Sequence, residues 1–137
     1  MKFRRSQDFS IVSLIELNCN YPTSIRSQWI LKNNSNVIPF DSQIETIFSE
    51  LFIPARKFPF GIFQLELTIT LNKYQMLNHS SSVYVEITPS DIIPNLVELG
   101  TSMITSGFEL DLKLDPGTYS IDPDLVSFDS TVNFQFI

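Results

Sequence analysis

The stretch Gly61-Ile62-Phe63-Gln64-Leu65-Glu66-Leu67-Thr68-Ile69-Thr70-Leu71 decides the fold class. Phe63, Leu65, Leu67, Ile69 and Leu71 fall on one side of an extended chain, with Gln64, Glu66, Thr68 and Thr70 on the other. A period of two is the signature of a strand. One apolar and one wet face is what a strand of an antiparallel sheet needs. Working outward, Val83, Val85 and Ile87 alternate with Tyr84, Glu86 and Thr88, and the polar run Asn72–Ser82 between the two strands reads as a hairpin-type loop. Upstream, Ile15-Glu16-Leu17-Asn18-Cys19, a turn at Tyr21-Pro22-Thr23, and Ser27-Gln28-Trp29-Ile30-Leu31 form a strand-turn-strand unit. Downstream, Phe108, Leu110, Leu112 and Leu114 alternate with Glu109, Asp111, Lys113 and Asp115, and Val132-Asn133-Phe134-Gln135-Phe136 follows a stretch rich in Asp, Pro and Gly. Trp29, Phe63, Phe134 and Phe136 are core residues on this reading. Many short amphipathic strands parted by turn residues specify an all-β antiparallel sandwich, not βαβ units.

One stretch departs from period two. Ile44, Ile47, Phe48 and Leu51 lie at helical spacing, and Ser42 with Glu45 forms a capping box, so up to two turns of helix are predicted there, broken at Ile53-Pro54. Thr88-Pro89-Ser90-Asp91, closed by Pro94, marks a boundary, because proline cannot donate to a sheet ladder. Residues 1–10, with Lys2, Arg4 and Arg5, read as a flexible basic tail. Residues 11–89 read as one sandwich, and residues 90–137 as the opening strands of a second, its last strand left with an unpaired edge.

Composition narrows the function. At 137 residues and 43% hydrophobic, the chain has enough apolar content for a core. The net charge of −6 divides as +1 over residues 1–89 and −7 over residues 90–137. That sign repels phosphate backbones, so nucleic acid is set aside as a partner. Cys19 is the single cysteine and cannot form an internal disulfide. It reads as a buried thiol, or as half of a bridge to a cysteine outside this sequence. No signal peptide follows the basic N-terminal residues, and no segment approaches the ~18 apolar residues of a membrane span.

The single His79, placed in the polar loop, offers no catalytic group, and no Cys/His cluster or glycine-rich phosphate loop exists. The reading is therefore non-catalytic and free of cofactors. Among the acidic residues Asp111, Asp115, Asp122, Asp124 and Asp129, the set Asp115, Asp122 and Asp124 could offer oxygen ligands to Ca²⁺. The alternative is turn chemistry, since Asp-Pro-Gly and Asp-Pro-Asp form turns through Asp bonding its own backbone. A free-standing ligand- or calcium-binding sandwich is the corresponding second function. Two glycosylation triplets, Asn33-Asn34-Ser35 and Asn78-His79-Ser80, fall in predicted loops. Phe58 and Phe60, flanking Pro59 in a loop, read either as core or as an exposed contact patch.

Several phrases in order resemble the receptor-for-egg-jelly (REJ) module of polycystin-like proteins. They are Leu17–Cys19, Gln28-Trp29-Ile30-Leu31, Leu51-Phe52-Ile53-Pro54, Phe58-Pro59-Phe60-Gly61 running on to Leu67, and Val83-Tyr84-Val85-Glu86-Ile87. Leu112-Lys113-Leu114-Asp115 leading to Ser120-Ile121-Asp122-Pro123-Asp124 is similar to the opening of REJ and PKD sandwich repeats. The resemblance spans roughly residues 11–136 and departs at Phe63, where the module commonly has Tyr, and in having one Cys where several are usual. It implies fibronectin-III-like and PKD-like sandwiches on the extracellular face of a membrane glycoprotein. The implied role is adhesion and ligand sensing, with neighbouring sandwich domains and an extracellular protein or glycan as partners, and with the membrane reached only through the parent protein.

Overall fold

The structure, a computed structural model, describes residues 1–18, 24–73, 77–97 and 105–125. The chain divides into two units, Met1–Pro89 and Ser90–Ile137.

The first unit is built on the strand that opened the reading. Strand β6 (Gly61–Leu71) pairs antiparallel with β7 (Asn78–Thr88) from Gly61↔Ile87 to Thr70↔Asn78. Its other edge pairs antiparallel with β3 (Ile25–Asn33), from Ile25↔Leu71 to Lys32↔Gln64. The short strands β1 (Lys2–Arg4) and β4 (Asn36–Ile38) complete a five-stranded sheet of order β1-β7-β6-β3-β4. A second, two-stranded sheet joins β2 (Phe9–Val12) to β5 (Glu50–Ile53), antiparallel, with Phe9 opposite Ile53 and Ile11 opposite Leu51. The fold is an all-β sandwich.

Alternation determines which side chains meet between the layers. Phe9, Ile11, Leu51 and Ile53 from the small sheet join Trp29, Leu31, Phe63, Leu65, Leu67, Val85 and Ile87 from the large one in a single buried cluster. Apolar area removed from water stabilises this contact at about 25 cal/mol per Å². The outward face of the large sheet is mixed: Ile62 and Tyr84 are exposed on it, beside polar pairs across strands, Lys32 Nζ to Glu66 Oε2 at 2.8 Å, Thr68 Oγ1 to Ser80 Oγ at 2.9 Å, and Lys2 Nζ to Glu86 Oε2 at 3.0 Å. Strand β6 opens at Gly61, whose φ of +135° is a conformation that only glycine adopts without strain.

The N-terminal residues are not a tail. Strand β1 runs parallel to β7, Phe3 opposite Ile87, and its Phe3 ring stacks on Phe9 at 4.0 Å. Alternation was too short at Lys2–Arg4 to announce a strand; what forms it is the open edge of β7.

No helix forms over residues 42–51 either. Asp41 organises a turn, its Oδ1 accepting from Gln43 N at 2.9 Å. Strand β3 then claims the carbonyls that a helix would use internally. Trp29 N donates to Thr46 O, and the indole Nε1 donates to Phe48 O, both at 2.8 Å. Two helical turns cannot repay their own nucleation against such bonds. Leu51 and Ile53 are instead the inward residues of β5.

The strand expected over residues 15–19 is also absent from its described part. Residues 13–18 carry no ladder, because β5 begins at Glu50 and offers no partner beyond the Ser13 N to Ser49 O bond of 3.1 Å. Cys19 and the turn at residues 21–23 lie outside the described residues.

Asp41 also accepts from Lys57 Nζ at 3.0 Å. The Gln43 amide foremost, then the Lys57 ammonium, hold its carboxyl below the ordinary 3.8. A lowered folded pKa means the stabilisation is complete above the ordinary value and fades as pH falls through the lower one. The Asp41 carboxyl ¹³C titration is therefore expected to have a midpoint below 3.8 that returns to the ordinary range in Lys57→Met only in part, since the amide bond remains.

The second unit differs from its expected form. Residues 105–115, read as a strand through Phe108, Leu110, Leu112 and Leu114, contain none, and all four side chains are exposed. Alternation needs a neighbouring strand to supply hydrogen bonds, and among the described residues that stretch has only local turns and the Asp115 N to Leu96 O bond of 2.9 Å. Among the described residues, the regular pieces of this unit are an isolated bridge, Ile93 and Ile121 exchanging bonds of 2.8 and 2.9 Å, and one helical turn, α1 (Pro116–Tyr119). The opening strands of a second sandwich are therefore not seen among the described residues. Val132–Phe136 lies outside them.

Candidate interaction surfaces

The acidic side chains accept from backbone amides and hydroxyls of the second unit. Asp115 caps α1, its Oδ1 accepting from Thr118 N at 3.1 Å and its Oδ2 from Thr118 Oγ1 at 2.9 Å. Asp122 Oδ1 accepts from Asp124 N at 2.9 Å. Asp124 is buried and accepts from Ser90 N at 2.7 Å and Ser90 Oγ at 2.8 Å. Asp115 bonds within the α1 turn, Asp122 bonds the Asp124 amide and Asp124 reaches back to Ser90; no group of three metal-ligating side chains gathers among the described residues. The bonds at Asp115 and Asp122 are those of turn chemistry, within three residues of each carboxylate, whereas those at Asp124 come from Ser90.

Phe58 and Phe60 part company. Phe58 is buried, its ring 5.3 Å from Phe63 and 6.3 Å from both Phe9 and Phe40, which makes it a core hub and removes it from any contact patch. Phe60 is half exposed beneath the Arg5 guanidinium, 5.1 Å from its ring centre. Proline between them turns one ring in and leaves the other out.

The two glycosylation triplets are not in open loops. Asn33 ends β3 and faces Asn36 across the tight β3–β4 turn, whose central residues Asn34 and Ser35 have φ of 49° and 67°. Positive φ at both central positions is the signature of a two-residue hairpin turn, where glycine is favoured at the second. Ser35→Gly should therefore raise the urea midpoint by an amount equivalent to about 0.5–1 kcal/mol. Asn78 begins β7, and Ser80, the third residue of its triplet, bonds Thr68. His79 lies on that strand opposite Ile69, not in a loop.

Two surfaces had no sequence signal. Past the end of the β2–β5 ladder, residues 11–17 run over the inner face of the large sheet and leave a groove of about 460 Å³ with Trp29, Leu65, Leu67, Ile69 and Val83 in its lining. It exists because the small sheet is shorter than the large one, a difference of strand length that alternation alone does not reveal. The second is the outer face of the small sheet, where Val12, Phe48 and Phe52 are exposed beside Glu45 and Glu50. Both surfaces can hold an apolar partner group on a rigid sheet frame.

No curated protein and no solved structure matches the chain. The family model of the REJ domain matches residues 13–136. That span takes in the Trp29 strand, the β5 phrase Leu51–Ile53, the β6–β7 hairpin and the turns at Asp115 and Asp122. The chain belongs to the REJ domain family.

Proposed function

We propose that this chain is a non-catalytic extracellular interaction or adhesion module, part of the REJ region of a polycystin-like membrane receptor. The observation that carries the reading is the REJ match over residues 13–136. An all-β frame with apolar side chains held outward on paired strands supports it, since rigid sheets present contact residues without ordering them on binding. Neighbouring sandwich domains of the parent and an extracellular protein or glycan are the partners. The two units follow as the organisation of the module: a sandwich over the first 89 residues, then a repeat whose turns are tied by Asp115, Asp122 and Asp124. Asn33 and Asn78 are its glycan acceptors.

No helix among the described residues is long and apolar enough to cross a membrane. The parent provides the anchor. An antibody raised against this module, applied to intact cells that make the parent protein, is expected to stain the cell surface without permeabilisation. Staining only after permeabilisation would reject the extracellular assignment.

A further inference from the structure

The small sheet has two faces, and only one is accounted for. Phe9, Ile11, Leu51 and Ile53 turn inward and complete the core. In the antiparallel register Ser10 lies opposite Phe52 and Val12 opposite Glu50, so these four share the outward face. Val12 is 72% exposed, Phe52 50% and Phe48, beside them, 55%. Phe48, Phe52, Gln43, Glu45 and Glu50 surround a depression of about 340 Å³. The Phe48 backbone is not loose: its carbonyl takes the Trp29 indole bond, and the neighbouring Ser49 carbonyl takes Ser13 N and Ser13 Oγ, the latter at 2.8 Å. Two phenyl rings are thus presented to solvent from a pinned backbone.

Charge says what would cover them. Segments 6–18 and 41–53, which build this sheet and its approaches, contain Asp8, Glu16, Asp41, Glu45 and Glu50 and no Lys or Arg. Asp41 is satisfied by Lys57, whereas the Glu45 and Glu50 carboxylates have no hydrogen-bond or ion-pair partner among the described residues. The rim of the depression carries Glu45 and Glu50 and no cation, while Arg4, Arg5 and Arg56 lie at the Phe9–Ile53 end of the sheet, so the depression itself repels phosphates and anionic lipid surfaces alike. It complements a basic protein surface. Phenyl faces flanking free carboxylates favour a guanidinium or ammonium, which meets ring quadrupole and carboxylate together.

We infer that the outer face of the β2–β5 sheet docks a basic protein surface, seating an arginine or lysine side chain between Phe48 and Phe52 with Glu45 and Glu50 as its counter-charges. This rests on the interaction-module reading and names the chemistry of one partner. Val12 and the two rings provide the apolar centre, and the carboxylates the rim that steers approach and weakens with salt.

The test titrates tetra-arginine amide into the full chain and follows it by residue-resolved NMR, with tetra-glutamine amide as the uncharged control. Saturable shifts are expected at Phe48, Phe52, Glu45, Glu50 and Val12, absent with tetra-glutamine. Affinity at these residues should fall roughly tenfold in Phe52→Ala and lose most of its salt dependence in Glu45→Gln/Glu50→Gln. Both variants change exposed side chains and leave the core intact, and Tyr84→Ala, on the other sheet's outer face, should change nothing. Shifts confined to the acidic residues beyond 89, or equal affinity in Phe52→Ala, would overturn the proposal. So would sedimentation showing that a second copy of the chain covers Phe48 and Phe52. None of these outcomes bears on intact-cell staining, so the docking site can fail while the module reading stands.

Discussion

Replacing Phe63 by alanine is expected to destabilise the Met1–Pro89 unit by about 3–5 kcal/mol. Phe63 is among the largest fully buried side chains, only 1% exposed, and its ring packs at 5.3 Å against Phe58. Phe58 in turn touches Phe9 and Phe40, so one truncation leaves a cavity where four aromatic rings now meet. The backbone cannot collapse into it, because β6 is hydrogen-bonded on both edges, to β3 and to β7. Domains of this size hold only about 5–15 kcal/mol in total. The variant should therefore show a greatly lowered urea midpoint with an unchanged slope. A loss below ~1 kcal/mol would mean that the rings do not form the centre of the core.

The second large effect concerns the N-terminus. Removing Met1–Asp8 is expected to cost about 3–5 kcal/mol and to cause aggregation. The deletion takes away the parallel β1 ladder, including Glu86 N to Met1 O at 2.8 Å and Arg5 N to Thr88 O at 3.0 Å. It also removes the Arg56 N to Arg5 O bond of 2.8 Å and the Arg5 Nε to Phe58 O bond of 3.1 Å. Each such bond contributes roughly 0.5–1.5 kcal/mol net. The stacked Phe3 ring adds apolar burial, part of the ~1.5–3 kcal/mol of a fully buried phenylalanine. The edge of β7 from Tyr84 to Thr88 would then stand open, and an open edge templates pairing between molecules. Light scattering alongside urea unfolding reads both consequences. A truncated chain that stayed monomeric with an unchanged midpoint would restore the flexible-tail description.

These two positions show where legibility ended. Phe63 could be placed in the core from its neighbours in sequence, because strict alternation from Phe63 to Leu71 admits one buried face. Phe3 could not, because three residues between charges carry no period. The same division runs through the surfaces. Asp115 and Asp122 were readable as turn formers, since an Asp side chain reaches the backbone two or three residues on, and that bond is local. Phe58 and Phe60 were not separable, as they share one proline-centred phrase and differ only in what lies across from each. The outer face of the small sheet is hidden in the sequence because Phe48 stands at helical spacing with Ile44 and Leu51.

From residue order alone came the all-β class, the β6–β7 hairpin, the burial of Trp29 and Phe63, and the family. Each depends on side-chain periodicity or on a short phrase, and both are written along the chain. Tertiary structure decided the rest: β1 on the β7 edge, β5 in place of a helix, the missing strand at Phe108–Leu114, and two apolar surfaces left uncovered. The physical reason is that a strand exists only where a neighbour accepts its hydrogen bonds, and neighbours distant in sequence are found by folding.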